Sequence, residues 1–213
     1  MSFHIKISDM HIDILKEVGN IGAGHAATAL STLLNKKIDM KVPNVRIVSF
    51  DEMMEMAGGA ESVIASVFLR IEGDAPGSMF FVLPLQQAEK FIRLLIGDQT
   101  FSFSDSKVNE LALSALQEMG NILSGSYLSS LSDFTQLNLM PSVPALSIDM
   151  AGAVISFGLL ELSQVSDYAI VIDTALNEDE GQTDESVRGH FFLLPDPESF
   201  NTIFKALGVL VDV

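Results

Sequence analysis

Two carboxylate–carboxamide pairs are the candidate functional residues of this chain. Glu17 and Asn20 form one pair, and Glu118 and Asn121 form the other, 101 residues later. A carboxamide can accept a hydrogen bond from water through its oxygen and donate one through its N–H, so it can orient a water molecule for attack, as glutamine does in small GTPases. A carboxylate can pair with a lysine of a partner and fix the docking geometry. The pairs favour a device that completes another protein's active site.

Each pair lies inside a longer pattern that occurs twice. The pattern reads (Asp/Ser)-x3-Glu-x2-Asn-x22-Pro, and a glycine follows each asparagine by four residues. At 3.6 residues per turn, the first three polar positions and this glycine share one face of a helix, and the bare glycine leaves room for a close approach. The remaining members are Asp13, Gly24 and Pro43 in the first copy, and Ser114, Gly125 and Pro144 in the second.

Simpler interpretations of these residues stay open. A single Glu/Asn pair on an amphipathic helix usually faces solvent without a function. Metal ligation by Asp13 and Glu17 is possible, but Ser114 replaces the aspartate in the second copy. The chain has no cysteine and no activated Ser/His pair, so it offers no nucleophile. The histidines are not spaced along the sequence as metal ligands usually are; they are His4, His11, His25 and His190.

Two long helices must position the pairs. Apolar residues at helical period predict a helix over 9–35, and a second over 107–134. Each helix is followed by strands and a further helix. In the first half the predicted elements are strands at 45–50, 63–71 and 78–83 and a helix at 85–96. In the second half they are strands from 147 onward and at 154–162, 168–176 and 190–194, and a helix at 197–207.

The repeated order predicts an internal duplication within one domain over 1–213. Phe80–Pro84 matches Phe191–Pro195 at an offset of 111 residues, so the second half carries about ten extra residues, which we assign to the acidic stretch 177–188. No linker rich in proline, glycine or serine separates the halves. We place the halves at 9–100 and 105–213 and expect them to share one sheet.

Composition excludes several classes of function. The formal net charge is −16, which disfavours nucleic acid and anionic membranes as partners and favours a partner with a basic face. The longest apolar run, near 150–160, is too short for a membrane-spanning helix. The N-terminal residues lack the core of a signal peptide. We therefore expect a cytoplasmic protein with no membrane insertion. A duplication already mimics a dimer, so we expect a monomer.

The doubled pattern resembles the CheC/CheX/FliY family of chemotaxis phosphatases, and the two intact copies resemble the CheC type most. The likeness runs from about residue 9 to 208 and includes Glu-Val-Gly-Asn-Ile-Gly-Ala-Gly-His at 17–25 and Gly-Asn-Ile-Leu-Ser-Gly-Ser-Tyr-Leu at 120–128. The resemblance implies a mixed α/β fold: one pseudo-twofold-symmetric domain with a largely antiparallel sheet of about six strands. Two long helices that carry the motifs would pack on one side of it.

The resemblance also implies a function. Members of the family remove the phosphoryl group from the aspartyl phosphate of the response regulator CheY. It implies that Asn20 and Asn121 position the attacking water, and that Glu17 and Glu118 pair with a lysine of the regulator. Asp13, Ser114, Gly24, Gly125, Pro43 and Pro144 would support the motif. The chain would need no cofactor of its own, since Mg²⁺ belongs to the regulator.

A second partner follows from the same resemblance, the receptor deamidase CheD. Its expected contact is Asp149, within 147–153, although an exposed aspartate here can equally be a solvated turn residue. The alternative function is an adaptor that mainly sequesters CheD, and a weaker one is a component of the flagellar switch. The resemblance also favours the second site as the stronger of the two.

Overall fold

The computed structural model describes residues 9–104, 110–162, 168–178 and 186–208. Its elements fall into two halves that have the same order. In the first half they are α1 (Asp9–Leu34), β1 (Ile38–Lys41), β2 (Val45–Ser49), α2 (Phe50–Met56), β3 (Val63–Gly73), β4 (Gly77–Pro84) and α3 (Leu85–Ile96). In the second half they are α4 (Glu110–Thr135), β5 (Leu139–Pro141), β6 (Ala145–Met150), α5 (Ala151–Leu162), β7 (Tyr168–Glu178), β8 (Val187–Pro195) and α6 (Pro197–Ala206).

All eight strands join one antiparallel sheet. The order across the sheet is β1-β7-β8-β4-β3-β5, with β2 also pairing β7 and β6 also pairing β3. The short strands of each half therefore pair with the long strand of the other half, and β4 pairs with β8 at the centre. The sheet is six strands wide but contains eight, rather than about six, because two short strands in succession fill each edge position.

The sheet buries apolar side chains on both faces. On one face, α1, α3, α4 and α6 cover a core that includes Leu30, Phe91 and Phe191. On the other face, the shorter α2 and α5 cover a second core that includes Met53 and Phe192. The predicted fold class is confirmed: a mixed α/β domain with an antiparallel sheet and two long motif helices on one side.

The two long helices pack against each other through small residues. A methyl group at Gly22 would lie 2.9 Å from Tyr127 Cδ1, so glycine is needed for this approach. The Tyr127 hydroxyl lies 3.2 Å from Thr174 Oγ1 on β7. Burial raises the pKa of Tyr127 to about 12, and the Thr174 hydrogen bond opposes this only in part.

The helix prediction over 9–35 is confirmed as Asp9–Leu34. That over 107–134 is confirmed from Glu110, and 107–109 lie outside the described residues.

The predicted strand at 154–162 is wrong, because these residues lie in helix α5. A continuous apolar run has no periodicity that separates a buried helix from a buried strand. Helix α2 was also missed. Its signal was a capping box, in which Ser49 Oγ accepts from the Glu52 N–H at 3.2 Å and Glu52 Oε2 accepts from the Ser49 N–H at 2.8 Å.

The extra residues of the second half are not confined to 177–188. Helix α5 has 12 residues against 7 in α2, and the β7–β8 connection is longer than the β3–β4 connection.

The Phe80–Phe191 match is also off by one residue. Phe80 faces the α2/α5 core, whereas Phe191 faces the α1/α4 core and pairs in register with Phe81. Side chains alternate between the faces of a strand, so the correspondence that preserves faces is Phe81 with Phe191.

Of the helices in the described ranges, none combines the length and the apolar character that crossing a membrane requires.

Candidate functional site

Both predicted pairs lie on exposed faces of the long helices. Glu17 and Asn20 are exposed on α1, and Glu118 and Asn121 are exposed on α4. Within the part of the chain that the structure describes, none of the four side chains makes a hydrogen bond or ion pair. The opposite faces of both helices are buried against each other and the sheet, so the backbone that carries the pairs is held rigidly. The four functional groups are therefore open to solvent.

The predicted supporting residues line the same faces. Asp13 and Ser114 are exposed one turn before the glutamates. A methyl group at Gly24 or at Gly125 would meet no heavy atom of the described residues within 4 Å. The structure therefore leaves open space above both glycines in the described part of the chain. The Gly24 carbonyl accepts a hydrogen bond from Thr28 Oγ1 at 3.0 Å, which holds the next turn of α1.

The prolines lie in connections that contact the two site helices in different ways. The Pro144 carbonyl accepts a hydrogen bond from Gln117 Nε2 at 3.2 Å, one residue before Glu118. Pro43 is exposed, and its neighbour Val42 is buried beneath α1. The two connections therefore hold their helices by a polar contact in the second copy and by an apolar contact in the first.

Asp149 lies away from both pairs, on the edge strand β6. It is exposed, and its Oδ1 accepts the Met150 N–H at 2.7 Å. It stands at the rim of a groove of about 370 Å³ beside α5, whose lining also includes Ser66, Phe68, Phe80 and Val154. The residues at 147–150 are strand and those at 151–153 begin α5, so Asp149 is not a turn residue. The sequence carried no signal for the groove.

The position that corresponds to this groove in the repeated fold is filled by charged side chains. With Phe81 matched to Phe191, Phe80 corresponds to His190, and its cross-strand neighbour Phe68 corresponds to Asp173. The Phe68 and Phe80 rings lie 4.8 Å apart at the groove. In the other half, Asp173 Oδ1 lies 2.8 Å from His190 Nδ1, and Asp173 Oδ2 lies 3.1 Å from Arg46.

The charges in this corner decide the ionisation of Asp173. Burial by itself would raise the pKa of Asp173, but the hydrogen bond from His190 and the charges and hydrogen bond of Arg46 together lower it. His190 thus has a structural partner in Asp173. His25 Nδ1 lies 3.4 Å from Ser130 Oγ at the helix pair. Over 9–104, 110–162, 168–178 and 186–208, no group of three or more histidine, aspartate or glutamate side chains is placed to hold a metal ion.

The arrangement can orient and dock, but it contains no self-sufficient reaction centre. Each helix offers a carboxylate and, one turn later, a carboxamide, with open space above a glycine. Such groups can orient water and bind a cation of a partner, and the reacting bond must then come from that partner.

Comparison with known proteins agrees with the doubled pattern. A sequence model described as the CheC-like family matches the chain twice, over residues 10–47 and 111–148. The protein of Bacillus subtilis (strain 168) named CheY-P phosphatase CheC is 53% identical over 98% of this chain and 99% of its own length. The flagellar motor switch phosphatase FliY of the same organism is 35% identical over 59% of this chain and 32% of that protein.

Solved structures share the fold at low identity. FliY of Thermotoga maritima superposes with a TM-score of 0.72 at 20% identity and covers 95% of this chain and 98% of that chain. The FliM middle domain from H. pylori superposes with a TM-score of 0.66 at 11% identity and covers 94% of this chain and 99% of that chain. CheX from Desulfovibrio desulfuricans superposes with a TM-score of 0.51 at 14% identity and covers 84% of this chain and 99% of that chain. At these identities the likeness concerns the fold alone. The identity to the Bacillus protein, by contrast, extends over almost the whole of both sequences, and the chain therefore belongs to the CheC-like family.

Proposed function

We propose that this protein is a phosphatase that hydrolyses the aspartyl phosphate of the response regulator CheY. The observation that carries the proposal is the doubled Glu/Asn pair, exposed on two rigid helices, in a chain 53% identical to a protein named CheY-P phosphatase. Neither site supplies a nucleophile or a metal. The regulator brings the phosphorylated aspartate and the Mg²⁺, and this chain brings the groups that position water.

The proposed mechanism assigns one role to each member of a pair. Asn20 or Asn121 accepts a hydrogen bond from water and orients it in line with the phosphorus–oxygen bond to the regulator's aspartate. The water oxygen attacks phosphorus, that bond breaks, and the aspartate leaves as a carboxylate with inorganic phosphate as the second product. Glu17 or Glu118 binds the regulator's lysine beside the phosphoryl group. Catalysis then rests on positioning and on preorganised charge.

The environment of the pairs supports this assignment. No described residue forms a hydrogen bond or ion pair with the four side chains, so docking has no such bond to break in the described part of the chain. The buried faces of α1 and α4 hold the two helices in place, so the Glu/Asn pairs keep a fixed arrangement when the regulator docks. The net charge of −16 favours association with a basic surface patch on the partner, which raises the rate of encounter. The cytoplasmic location and the monomeric state stay predictions.

We assign binding of CheD to the second half, around Asp149. The groove beside Asp149 supports this assignment, since an apolar floor with an acidic rim suits a partner segment with apolar and basic residues. The same groove is the observation that favours the second candidate function, an adaptor that mainly sequesters CheD. On that alternative the Glu/Asn pairs would be docking surfaces.

The test is the decay of phosphorylated CheY in the presence of Mg²⁺, with wild-type protein and with the Asn20→Ala/Asn121→Ala double variant. We expect wild-type protein to accelerate decay and the double variant to lose the acceleration. The control is Thr32→Ala/Asp133→Ala, which changes exposed residues on the same two helices outside the pairs. Full activity in the Asn double variant would refute the assignment.

A second arm separates the phosphatase from the adaptor. Asp149→Lys is expected to weaken CheD binding in a pull-down or by calorimetry, while decay of phosphorylated CheY without CheD stays at the wild-type rate. If wild-type protein fails to accelerate decay even with CheD present, yet binds CheD in a manner that depends on Asp149, the adaptor function replaces the phosphatase.

A further inference from the structure

The two Val-Pro dipeptides that follow the site helices are placed in opposite ways. Val42-Pro43 and Val143-Pro144 lie 101 residues apart, at the same interval after Asn20 and Asn121. Val42 is only 3% exposed, whereas Val143 is 85% exposed. Val143 is the most exposed large hydrophobic side chain among the described residues. The same short sequence therefore yields a core residue beside the first site and a surface residue beside the second.

The reason lies in how closely each site helix approaches the sheet. A methyl group at Gly19 on α1 would lie 3.5 Å from Val42 and 3.6 Å from Ile172. At the equivalent Gly120 on α4, it would lie 2.5 Å from Val67. Helix α4 therefore lies closer to β3 at Gly120 than α1 lies to β7 at Gly19, which leaves less room beneath α4 for a side chain placed as Val42 is. Val143 is consequently excluded to the surface.

The loop that carries Val143 is anchored on both sides. The Ser142 N–H donates to the Arg70 carbonyl at 2.8 Å, and Ser142 Oγ accepts from the Arg70 N–H at 2.9 Å. On the other side, Gln117 holds the Pro144 carbonyl at 3.2 Å. Val143 is thus presented in a fixed position rather than on a free loop.

This position is beside the second pair. At about 100° per residue, Gln117 and Asn121 are separated by only about 40° around α4. The Gln117 side chain therefore places the 142–144 loop along the flank of the Glu118/Asn121 face. An exposed aliphatic side chain on a rigid loop next to a polar docking face has the anatomy of an interface anchor, because burial of apolar area favours association and a fixed loop loses little entropy.

We propose that Val143 is a docking residue that makes the second site bind the phosphorylated regulator more tightly than the first. Its partner is an apolar patch on the regulator beside the acidic pocket that holds the phosphoryl group. The proposal rests on the phosphatase function proposed above and adds a determinant that only one of the two sites possesses. Val42 cannot act in this way, because it is buried beneath α1.

The experiment measures KM and kcat for dephosphorylation of CheY in two parent variants. In Asn20→Ala protein only the second site can act, and in Asn121→Ala protein only the first can act. Adding Val143→Ser to the Asn20→Ala parent is expected to raise KM about fivefold to tenfold with kcat nearly unchanged, the signature of lost binding common to ground state and transition state. The same substitution in the Asn121→Ala parent is expected to change KM less than twofold.

A matched control and a stability measurement complete the design. Leu33→Ser removes another exposed aliphatic side chain, 48% exposed at the end of α1, and is expected to leave KM of both parents within twofold. Urea midpoints of the Val143→Ser proteins should equal those of their parents. An equal rise of KM in both parents, or no rise in the Asn20→Ala parent, would overturn the role of Val143.

These experiments distinguish a failure of the Val143 docking role from a failure of the phosphatase sites. If the Asn20→Ala/Asn121→Ala double variant loses activity but Val143→Ser changes nothing, only the docking role of Val143 is refuted. If the double variant keeps full activity, the phosphatase sites themselves are wrong and the Val143 proposal is refuted with them.

Discussion

Substitution of the matched glycines Gly19 and Gly120 by alanine should change stability in opposite directions. Both residues stand between the Glu and Asn of their motifs, inside a long helix, and both point toward the sheet. In a helix interior, alanine is more favourable than glycine by about 1 kcal/mol. The sequence alone therefore predicts the same gain at both positions.

The packing beneath the two helices separates the variants. At Gly19 the new methyl group would meet Val42 and Ile172 at ordinary contact distances of 3.5 and 3.6 Å, so we expect Gly19→Ala to stabilise by about 1 kcal/mol. At Gly120 it would lie 2.5, 2.6 and 2.7 Å from three carbons of Val67. Val67 is β-branched on a central strand and cannot turn away. Overpacking costs about 1–3 kcal/mol, and three contacts this short place the cost at about 2–3 kcal/mol. After the helix gain of about 1 kcal/mol, we expect a net loss of about 1–2 kcal/mol.

The assay is urea unfolding of the three proteins, compared at constant slope so that a change of midpoint reports a change in the free energy of unfolding. The two variants should differ by about 2–3 kcal/mol. Val67→Ala completes a double-mutant cycle with Gly120→Ala. The double variant should be about 1 kcal/mol or more stable than the sum of the two single effects predicts, because Val67→Ala removes the clash. Equal stabilisation by Gly19→Ala and Gly120→Ala would refute the asymmetric packing, and with it the reason given for the exposure of Val143.

Three further predictions concern pH and the space above the second site. The pKa of Asp173 is lowered in the folded protein, so its charged pairing stabilises above pH ~4 and is lost as pH falls through the folded pKa; Asp173→Asn should be less stable at pH 7, and thermal melts should show its deficit shrinking below pH 4. The pKa of Tyr127 is raised to about 12, so stability falls as pH rises from about 10 to about 12, by up to about 3 kcal/mol; Tyr127→Phe should unfold with a flatter dependence over that range, and an unchanged dependence would contradict the burial argument. Gly125→Ala should stabilise α4 by up to about 1 kcal/mol, since no described residue would contact the new methyl group, but should slow decay of phosphorylated CheY in the Asn20→Ala parent; unchanged decay there would show that the partner does not approach this glycine.

Local periodicity was sufficient for the parts of the molecule that depend on neighbours in sequence. Glu17 and Asn20 lie on one exposed face of a helix because 3.6 residues per turn places them there. The same holds for Glu118 and Asn121, and the repeated spacing pointed to a doubled site before any packing was visible. The fold class could be predicted because the doubled pattern resembles a known family.

Other features depended on contacts between distant segments and could not be predicted. Helix α5 has an apolar run that fits a buried strand equally well, and its packing on the sheet decides between them. The match of Phe80 with Phe191 joined residues on opposite faces, because similarity of side chains does not report which face a strand position takes. The apolar groove at Phe68 and Phe80, against the ion pair of Asp173 and His190, is visible only once cross-strand partners are known.

Spacing along a helix is a local property of the chain, and it was enough to identify the residues that could orient water and bind a partner's cation. The different surroundings of the two sites, by contrast, arise from packing between segments that are distant in sequence. Val42 and Val143 occupy identical positions in the repeated pattern, yet one is buried and one is exposed. The physical reason is the distance from helix to sheet, which Ile172 and Val67 determine on strands of the opposite halves, and no property of the Val-Pro dipeptides encodes that distance.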